Sequence, residues 1–284
     1  MIGMQSVKDV LETYGLRDKQ STANYIDLTA SRLNPNLPKT EKKAKMIHFV
    51  LTGNPGTGKT TVAKLIGQMF YEMGYLESGH VVEVNRNQLI DEYIGQTAIK
   101  TADYIQKAMG GVLFIDEAYT LKRSDDNDHD FGQEAIDTLL KAMDQYKGKF
   151  IVIAAGYQKE MDTFINSNPG LQNRFTEKIH IEDYTTEEMY EILLFHANKN
   201  SFRFSDELLK KLPNFCENWV DSSNENWGNA REAVVLIDHM IRSWKKDADA
   251  KSIVEDGQTI GILEEKHIPK SLLDNLRSVE EMLS

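Results

Sequence analysis

Residues 53 to 60, Gly-Asn-Pro-Gly-Thr-Gly-Lys-Thr, are the feature that most restricts the fold of this chain. Two glycines separated by four residues precede Lys59 and Thr60, which is the spacing of a phosphate loop. The apolar run His48–Leu51 comes before this loop, and apolar residues at helical spacing follow it, from Val62 to Phe70. The arrangement predicts a strand, a phosphate-binding loop and a helix in direct succession.

The predicted loop carries the groups that bind a nucleoside triphosphate. Its glycines can adopt positive φ and bring backbone N–H groups around phosphate oxygens, at the positive end of the following helix. Lys59 would reach the β and γ phosphates, and the Thr60 hydroxyl would ligate Mg²⁺. The alternative is an ordinary Gly- and Pro-rich turn before a helix. The predicted nucleotide contacts are Asn54, Pro55, Gly56, Thr57, Gly58, Lys59, Thr60 and Thr61.

Two carboxylates supply the second half of such a site. The buried-strand pattern Val112–Ile115 ends in Asp116 and Glu117, and ligands bind at the carboxyl ends of parallel strands. Asp116 is expected to hold the coordination shell of Mg²⁺ by hydrogen bonding. Glu117 is expected to orient and deprotonate the attacking water. The alternative is a strand that simply ends in a charged turn.

The order of elements predicts an α/β protein. Strand and helix patterns alternate, which indicates a doubly wound parallel sheet covered on both faces. After residue 182 the patterns are mainly helical, with a capping box formed by Thr185 and Glu188 and a hairpin signal at Asp256-Gly257. We therefore expect an α/β nucleotide-binding subdomain at residues 1–182 and a small helical lid subdomain at residues 183–284.

Composition excludes several classes of protein. The net charge of −11 disfavours general binding to nucleic acid or to anionic membranes. The first thirty residues contain charges and no long apolar run, so neither a signal peptide nor a membrane span is expected, and cytoplasm is the expected location. The single Cys216 excludes an internal disulfide. Ser124–Asp130 alternates acidic residues as a calcium loop does, but Phe131 stands where that loop needs glycine.

Six motifs together resemble one known family, and they occur in its order. The sequence is similar to the CbbX/SpoVK branch of the AAA+ ATPases, which includes the red-type Rubisco activase; similar domains occur in sporulation and type VII secretion proteins. The resemblance extends from Ile2-Gly3 to about Pro269. The motifs are Gly53–Thr60, Tyr93–Thr97, Phe114–Tyr119, Ala155–Tyr157, Asn168–Leu171 with Arg174-Phe175, and Gly228–Arg231.

The resemblance implies roles for residues far from the phosphate loop. Ile2 and Gly3 would begin the segment that wraps the adenine; the alternative is a frayed terminus. Arg174 matches the arginine finger, which reaches the γ-phosphate of a neighbouring subunit; the alternative is a surface arginine paired with a local carboxylate. Arg231 matches the second sensor, which reaches ATP from the lid of the same subunit.

Two further assignments come from the family pattern, and a third concerns Asn85, which follows the second predicted strand. Tyr93 and Ile94 occupy the place of the first pore loop, where they would grip an extended peptide; the alternative is that they cap the core. Most AAA+ proteins place a polar sensor where this chain has Gly156-Tyr157, so Tyr157 either positions water or only packs. Asn85 would hold Glu117 inactive until a substrate binds, or is a strand-end turn residue.

The expected function is that of an ATP-hydrolysing ring with Mg²⁺ as its metal. Because the arginine finger acts on a neighbour, a homo-oligomer is expected, most simply a hexamer that remodels a protein partner. Two alternatives belong to other classes: a nucleic-acid loader or initiator, and a scaffold that assembles on ATP but scarcely hydrolyses it. The net negative charge counts against a nucleic-acid loader. The presence of Glu117, Arg174 and Arg231 counts against a scaffold that scarcely hydrolyses ATP.

Overall fold

The computed structural model describes residue 8 and residues 47–91, 93, 95–122, 131–221 and 227–276. The predicted contacts of Ile2, Gly3 and Ile94, and the acidic loop Ser124–Asp130, lie outside these residues. Two compact units divide the chain. The sheet unit contains the described parts of Gln5–Gly53 and Gly58–Ile181, and the lid unit contains Asn54–Thr57 with the described part of Glu182–Ser284.

The sheet unit is built on five strands, all parallel to their neighbours. Their spatial order is β2-β3-β4-β1-β5, so β1 and β3 lie on either side of β4. This order confirms the parallel sheet that the alternating pattern predicts. The strands are β1 (Phe49–Thr52), β2 (Val81–Val84), β3 (Val112–Ile115), β4 (Ile151–Gly156) and β5 (Glu177–His180).

Helices of the sheet unit bury both faces of the sheet. Val50, Ile115 and Val152 belong to a core shared with the helices that follow β2, β3 and β4. Side chains of alternate strand residues point to the opposite face of the sheet. There the ring of Phe49 contacts Phe70 of the helix that follows β1, with 5.9 Å between ring centroids. Coverage on two sides explains why β1, β3 and β4 are buried throughout. The helices are α1 (Lys59–Glu72), α2 (Arg86–Leu89), α3 (Gln96–Lys107), α4 (Phe131–Gln145), α5 (Gln158–Asn166) and α6 (Pro169–Arg174).

The lid unit contains three helices and a small sheet. Its first helix starts with the predicted capping box, in which Thr185 Oγ1 accepts from Glu188 N–H and Glu188 accepts from Thr185 N–H. The predicted hairpin at Asp256-Gly257 is also present. The elements are α7 (Thr186–Lys199), β6 (Phe202–Phe204), α8 (Asp206–Asp221), α9 (Ala230–Lys246), β7 (Ser252–Glu255) and β8 (Gln258–Leu263).

Two local features of the lid unit go beyond the predicted helices. Strand β6 pairs in parallel with β8 and completes a three-stranded sheet. Lys270–Leu276 is 3-10 helix. Cys216 is fully buried in α8, and burial raises its thiol pKa to about 12, so it packs as a small apolar residue. Across the described residues, no helix combines the length and apolar character needed to cross a bilayer.

Candidate nucleotide-binding site

The carboxyl ends of three neighbouring strands position the central residues of the sheet unit. Gly53 follows β1 and donates its N–H to the carbonyl of Gly156, the last residue of β4, over 3.3 Å. Asp116 follows β3 and donates its N–H to the carbonyl of Val84 in β2, over 2.8 Å. The start of the phosphate loop and the predicted Mg²⁺ carboxylate therefore lie at one edge of one sheet, separated by one strand.

The N-terminus of α1 is open to an anion. Gly58, its N-cap, has φ of 92°, and among the described residues no side chain caps the helix and no acid lies in its first turn. Backbone N–H groups at such an end carry partial positive charge. Lys59 Nζ donates to the carbonyl of Gly53 over 2.8 Å and so lies across the base of the loop. These groups have the charge and donors that a polyphosphate requires.

The tip of the loop, Asn54–Thr57, clusters with the lid unit. Thr57 is fully buried and its hydroxyl donates to the carbonyl of Asn54 over 2.9 Å. Gly56 has φ of 73°, and a Cβ placed there would lie 1.8 Å from the carbonyl oxygen of Gly228. No residue with a side chain fits at position 56 without moving backbone, so the glycine of the motif has a structural cause beyond the turn itself.

The predicted acidic pair occupies a tight turn. Glu117 has a left-handed backbone, φ 48°, and its N–H donates to Asp116 Oδ1 over 3.1 Å. The Glu117 side chain is exposed, whereas Asp116 is half-buried. An exposed carboxylate on a strained backbone at a strand end is a common feature of functional sites. The sequence pattern therefore locates both carboxylates correctly at the end of β3.

Tyr157 lies beside this acidic turn. Its ring is 6.1 Å from that of Tyr119, the second residue after Glu117, and Tyr157 is the N-cap of α5. Burial and the nearby Glu117 raise the pKa of Tyr119 to about 12, so its hydroxyl stays protonated at neutral pH. Tyr157 thus packs on a neutral tyrosine next to the carboxylates, and a role in positioning water stays a prediction.

Arg174 lies at the end of α6 and is engaged within its own chain. Its Nε donates to Asp144 Oδ1 over 3.2 Å, its Nη2 donates to Asp144 Oδ2, and its Nη1 donates to the carbonyl of Gly170 over 2.8 Å. The pair holds the pKa of the Asp144 carboxyl below its usual range. These contacts are those of an arginine paired with a local carboxylate. The arginine side chain is still 20% exposed.

Asn85 is a helix cap in this structure. Its Oδ1 accepts from Asn87 N–H over 3.0 Å, and its own N–H donates to Gln88 Oε1 over 2.8 Å, which forms a capping box at the start of α2. Asn85 directly follows β2, next to the strand that ends in Asp116. Both hydrogen bonds of Asn85 are those of a residue in the turn at the end of a strand.

The remaining predicted residues fall in different places. Thr60 is half-buried and Thr61 exposed, both in the first turn of α1. Tyr93 is 75% exposed on the loop before α3, so its side chain does not cap the core. Arg231 is exposed in the first turn of α9, and its N–H donates to the carbonyl of Gly228 over 3.0 Å.

Sequence reasoning missed two buried polar residues. His48 Nδ1 accepts from Val152 N–H over 2.9 Å, and burial, with a smaller effect of Arg174, lowers the pKa of this histidine to about 4. Asn229 is fully buried with φ of 50° and hydrogen-bonds to Asp183, Tyr184 and Pro55. Asn229 lies within the motif Gly228–Arg231, but the contacts of both residues have no local sequence signal, because their partners lie 104 and up to 174 residues away.

A cluster of possible metal ligands in the lid unit is explained by ion pairs. Oxygen and nitrogen atoms of Asp247, Glu264 and His267 lie within 4.8 Å of one another. Lys266 pairs with Asp247 at 2.6 Å and with Glu264 at 3.1 Å. His267 Nδ1 accepts from Glu264 N–H, so in the neutral imidazole Nε2 is the donor and faces Asp247. Both ring nitrogens of His267 are therefore engaged in hydrogen bonds within the chain.

Comparisons with known proteins agree with this geometry. The family model "ATPase family associated with various cellular activities (AAA)" matches residues 49–183, and the AAA lid domain model matches residues 185–265. Stage V sporulation protein K of Bacillus subtilis is 44% identical over 86% of this chain and 72% of its own length. Protein CbbX of Cereibacter sphaeroides is 35% identical over 100% of this chain and 89% of its own length.

A third relative and a solved structure complete the comparison. The chloroplastic ribulose bisphosphate carboxylase/oxygenase activase of Cyanidioschyzon merolae is 37% identical over 84% of this chain and 76% of its own. The RuvB Holliday junction branch migration motor of Thermotoga maritima matches with a TM-score of 0.52 and 18% identity, over 86% of this chain and 64% of that one. At that identity the likeness concerns the fold alone. From the matched models and these relatives, the chain belongs to the CbbX/SpoVK family of AAA ATPases and is itself an ATPase.

Proposed function

We propose that this ATPase assembles into a ring and uses ATP hydrolysis to remodel a protein partner that it engages through Tyr93. The observation that carries the proposal is the 75% exposure of the Tyr93 side chain. Gly95, two residues later, has φ of 77°, and apart from its chain neighbours no described residue has an atom within 4 Å of the point where its Cβ would be. An exposed aromatic residue on a glycine-hinged loop can stack on an extended polypeptide without reading its sequence.

In this proposal the nucleotide is ATP with Mg²⁺. Lys59 and the N–H groups of the phosphate loop and of the first turn of α1 would hold the phosphates, together with Thr61. The Thr60 hydroxyl would ligate the metal, and Asp116 would hold the coordination shell of the metal by hydrogen bonding. The metal would neutralise charge on the β and γ phosphates. Glu117 would take the proton of the attacking water; its exposed carboxylate supports this role.

Completion of the site by a second subunit is part of the same proposal. The assembly would be a homo-oligomer, specifically a hexamer. Arg174 would act on the γ-phosphate bound by a neighbouring subunit, and Arg231 on the ATP bound by its own subunit. We place the subdomain boundary between residues 182 and 183; the matched models, which end at 183 and begin at 185, support that choice. The ribulose bisphosphate carboxylase/oxygenase activase among the relatives supports a protein as the partner.

The test compares Tyr93→Ala with Tyr71→Ala, which removes another exposed tyrosine, on α1 and away from the loop. ATP turnover is measured with and without unfolded casein as the polypeptide probe. We expect casein to stimulate the wild type and Tyr71→Ala, and Tyr93→Ala to keep its basal turnover without stimulation. Glu117→Gln should abolish both rates while ATP binding persists.

Two results would contradict the proposal. One is equal stimulation of Tyr93→Ala and the wild type, which would remove the loop from substrate contact. The other is turnover that is insensitive to casein in all variants, which would favour the scaffold alternative over a motor for polypeptides.

A further inference from the structure

Asn229 occupies a central position among the polar contacts of the lid unit. It is fully buried and immediately precedes α9, which carries Arg231 in its first turn. Its Oδ1 accepts from the N–H of Tyr184 over 3.0 Å. Its Nδ2 donates to Asp183 Oδ1 over 2.8 Å and to the carbonyl of Pro55 over 3.2 Å. One amide therefore links the tip of the phosphate loop, residues 183–184 and the start of α9.

The same segments hold the rest of the tip. Asn54 Nδ2 donates to Asp183 Oδ2 over 2.9 Å, so both oxygens of one carboxylate are used. The Tyr184 hydroxyl donates to the carbonyl of Thr57 over 3.2 Å, and burial raises the pKa of this tyrosine to about 12, which keeps it a donor. Gly56 packs on the backbone of Gly228. Each of the four residues of the tip contacts the lid segments around Asn229.

We propose that Asn229 is a positioning residue that sets the geometry of the phosphate-loop tip and couples nucleotide binding to the first turn of α9. The inference rests on the proposed role of the loop in holding phosphates. A side-chain amide has both a donor and an acceptor, and this site uses both. Because the group is buried, loss of either function leaves a partner unsatisfied in a low-dielectric surrounding.

The chemistry of the position predicts a specific response to a carboxylate. Asn229→Asp keeps an acceptor for Tyr184 N–H but removes the donor to Pro55, and it places a second carboxylate against Asp183. Two carboxylates so close raise the pKa of one of them, so that they share a proton near neutral pH. As the pH falls, that proton would restore the hydrogen bond to Asp183, while the carbonyl of Pro55 would remain without its donor. The other charged groups on these segments are the same in every variant: Glu182, Glu188, Arg231 and Glu232.

The experiment measures ADP affinity by calorimetry on the full chain at pH 6 and at pH 8. For Asn229→Asp we expect ADP affinity at least about tenfold weaker than wild type at pH 8, as for the loss of two buried hydrogen bonds, and partly recovered at pH 6, where the bond to Asp183 returns. Asn229→Gly, which tolerates the φ of 50°, should be weakened equally at both values. Asn218→Asp is the matched control, because Asn218 Nδ2 donates to the carbonyl of Asn275 elsewhere in the lid unit.

Each outcome is decisive. Wild-type affinity in Asn229→Asp at both pH values, or the same loss in Asn218→Asp, would overturn the inference. If circular dichroism shows that Asn229→Asp does not fold, Asn229→Gly provides the test. Unchanged ADP affinity in Asn229→Gly would overturn the positioning role of Asn229, and a tenfold loss would support it. A wild-type chain that binds no ADP would instead refute the proposed use of the phosphate loop.

Discussion

Arg174 and Asp144 form a two-point ion pair within one chain, with Nε on Oδ1 at 3.2 Å and Nη2 on Oδ2. An arginine that serves a neighbouring subunit must exchange this carboxylate for a phosphate. We predict that Arg174→Ala lowers ATP turnover by roughly a thousandfold, the scale of an arginine finger. Its affinity for ADP at low protein concentration should match the wild type. Arg203→Ala, which removes another paired arginine, is the control.

Mixing experiments separate action on a neighbour from action within the subunit. Arg174→Ala and Glu117→Gln should each be inactive alone. In a mixed ring, a site with the Glu117 of one chain and the Arg174 of the next is complete, so turnover should partly return. Absence of any recovery in rings shown to be mixed would place Arg174 outside the neighbour's site.

Asp144→Asn tests whether the ion pair competes with that role. The neutral amide weakens the hold on Arg174, so turnover at limiting protein concentration should rise by about twofold to fivefold, in line with a partly exposed pair. The readout is turnover as a function of protein concentration. A fall in turnover would mean that Asp144 presents the guanidinium rather than competing for it.

Gly56→Ala should damage the phosphate loop far more than a positive φ alone would. The new methyl group would lie 1.8 Å from the carbonyl oxygen of Gly228. Gly257→Ala is a matched control, with φ of 77° and, in the part of the chain that the structure describes, no atom beyond its chain neighbours within 4 Å of its Cβ position. We expect Gly257→Ala to cost about 1 kcal/mol of stability with unchanged ADP affinity. Gly56→Ala should lose ADP binding; equal behaviour of the two variants in calorimetry and denaturant unfolding would contradict this.

His48 makes stability depend on pH in the acidic range. Its pKa is lowered from 6.5 to about 4 in the folded chain, chiefly by burial. Between these values the unfolded chain binds more protons, so the free energy of unfolding falls as the pH falls, by about 3 kcal/mol between pH 7 and pH 4. His48→Leu should remove that part of the pH dependence. At neutral pH it should also cost about 1–3 kcal/mol, because Val152 N–H loses its acceptor. Near pH 4 this cost is offset, because the variant has no histidine to protonate.

Urea unfolding at several pH values measures this effect. His196→Gln is the control, since burial lowers the pKa of His196 as well but its side chain lies in α7 of the lid unit. If His48→Leu retains the full wild-type pH profile, the acid sensitivity arises in other groups.

What the sequence predicts well is what short stretches determine. The phosphate loop, the acidic pair after β3, the capping box of Thr185 and the turn at Asp256-Gly257 each depend on residues within one turn of chain. The parallel sheet follows from the alternation of strand and helix patterns. Each of these features is an interaction between near neighbours along the chain, which a pattern can record.

The features missed by the sequence join distant segments. Strand β6 is three residues long and takes its partner 59 positions later, at the register of Phe202 with Gly261. Asn229 contacts residues 46 and 174 positions away. For Arg174 the sequence left two readings open, and only tertiary structure identifies Asp144, 30 positions earlier, as its partner in the chain.

The parallel pairing of β6 with β8 has a consequence for the order of folding during synthesis. All five strands of the large sheet have left the ribosome once His180 has emerged, whereas β6 has no partner until Leu263 follows. Asn229 also emerges long after the loop that it contacts. A nascent chain can therefore complete its large sheet while the tip of the phosphate loop still lacks its partners. With the proposed role of Asn229, we expect the capacity to bind nucleotide to be acquired late in translation.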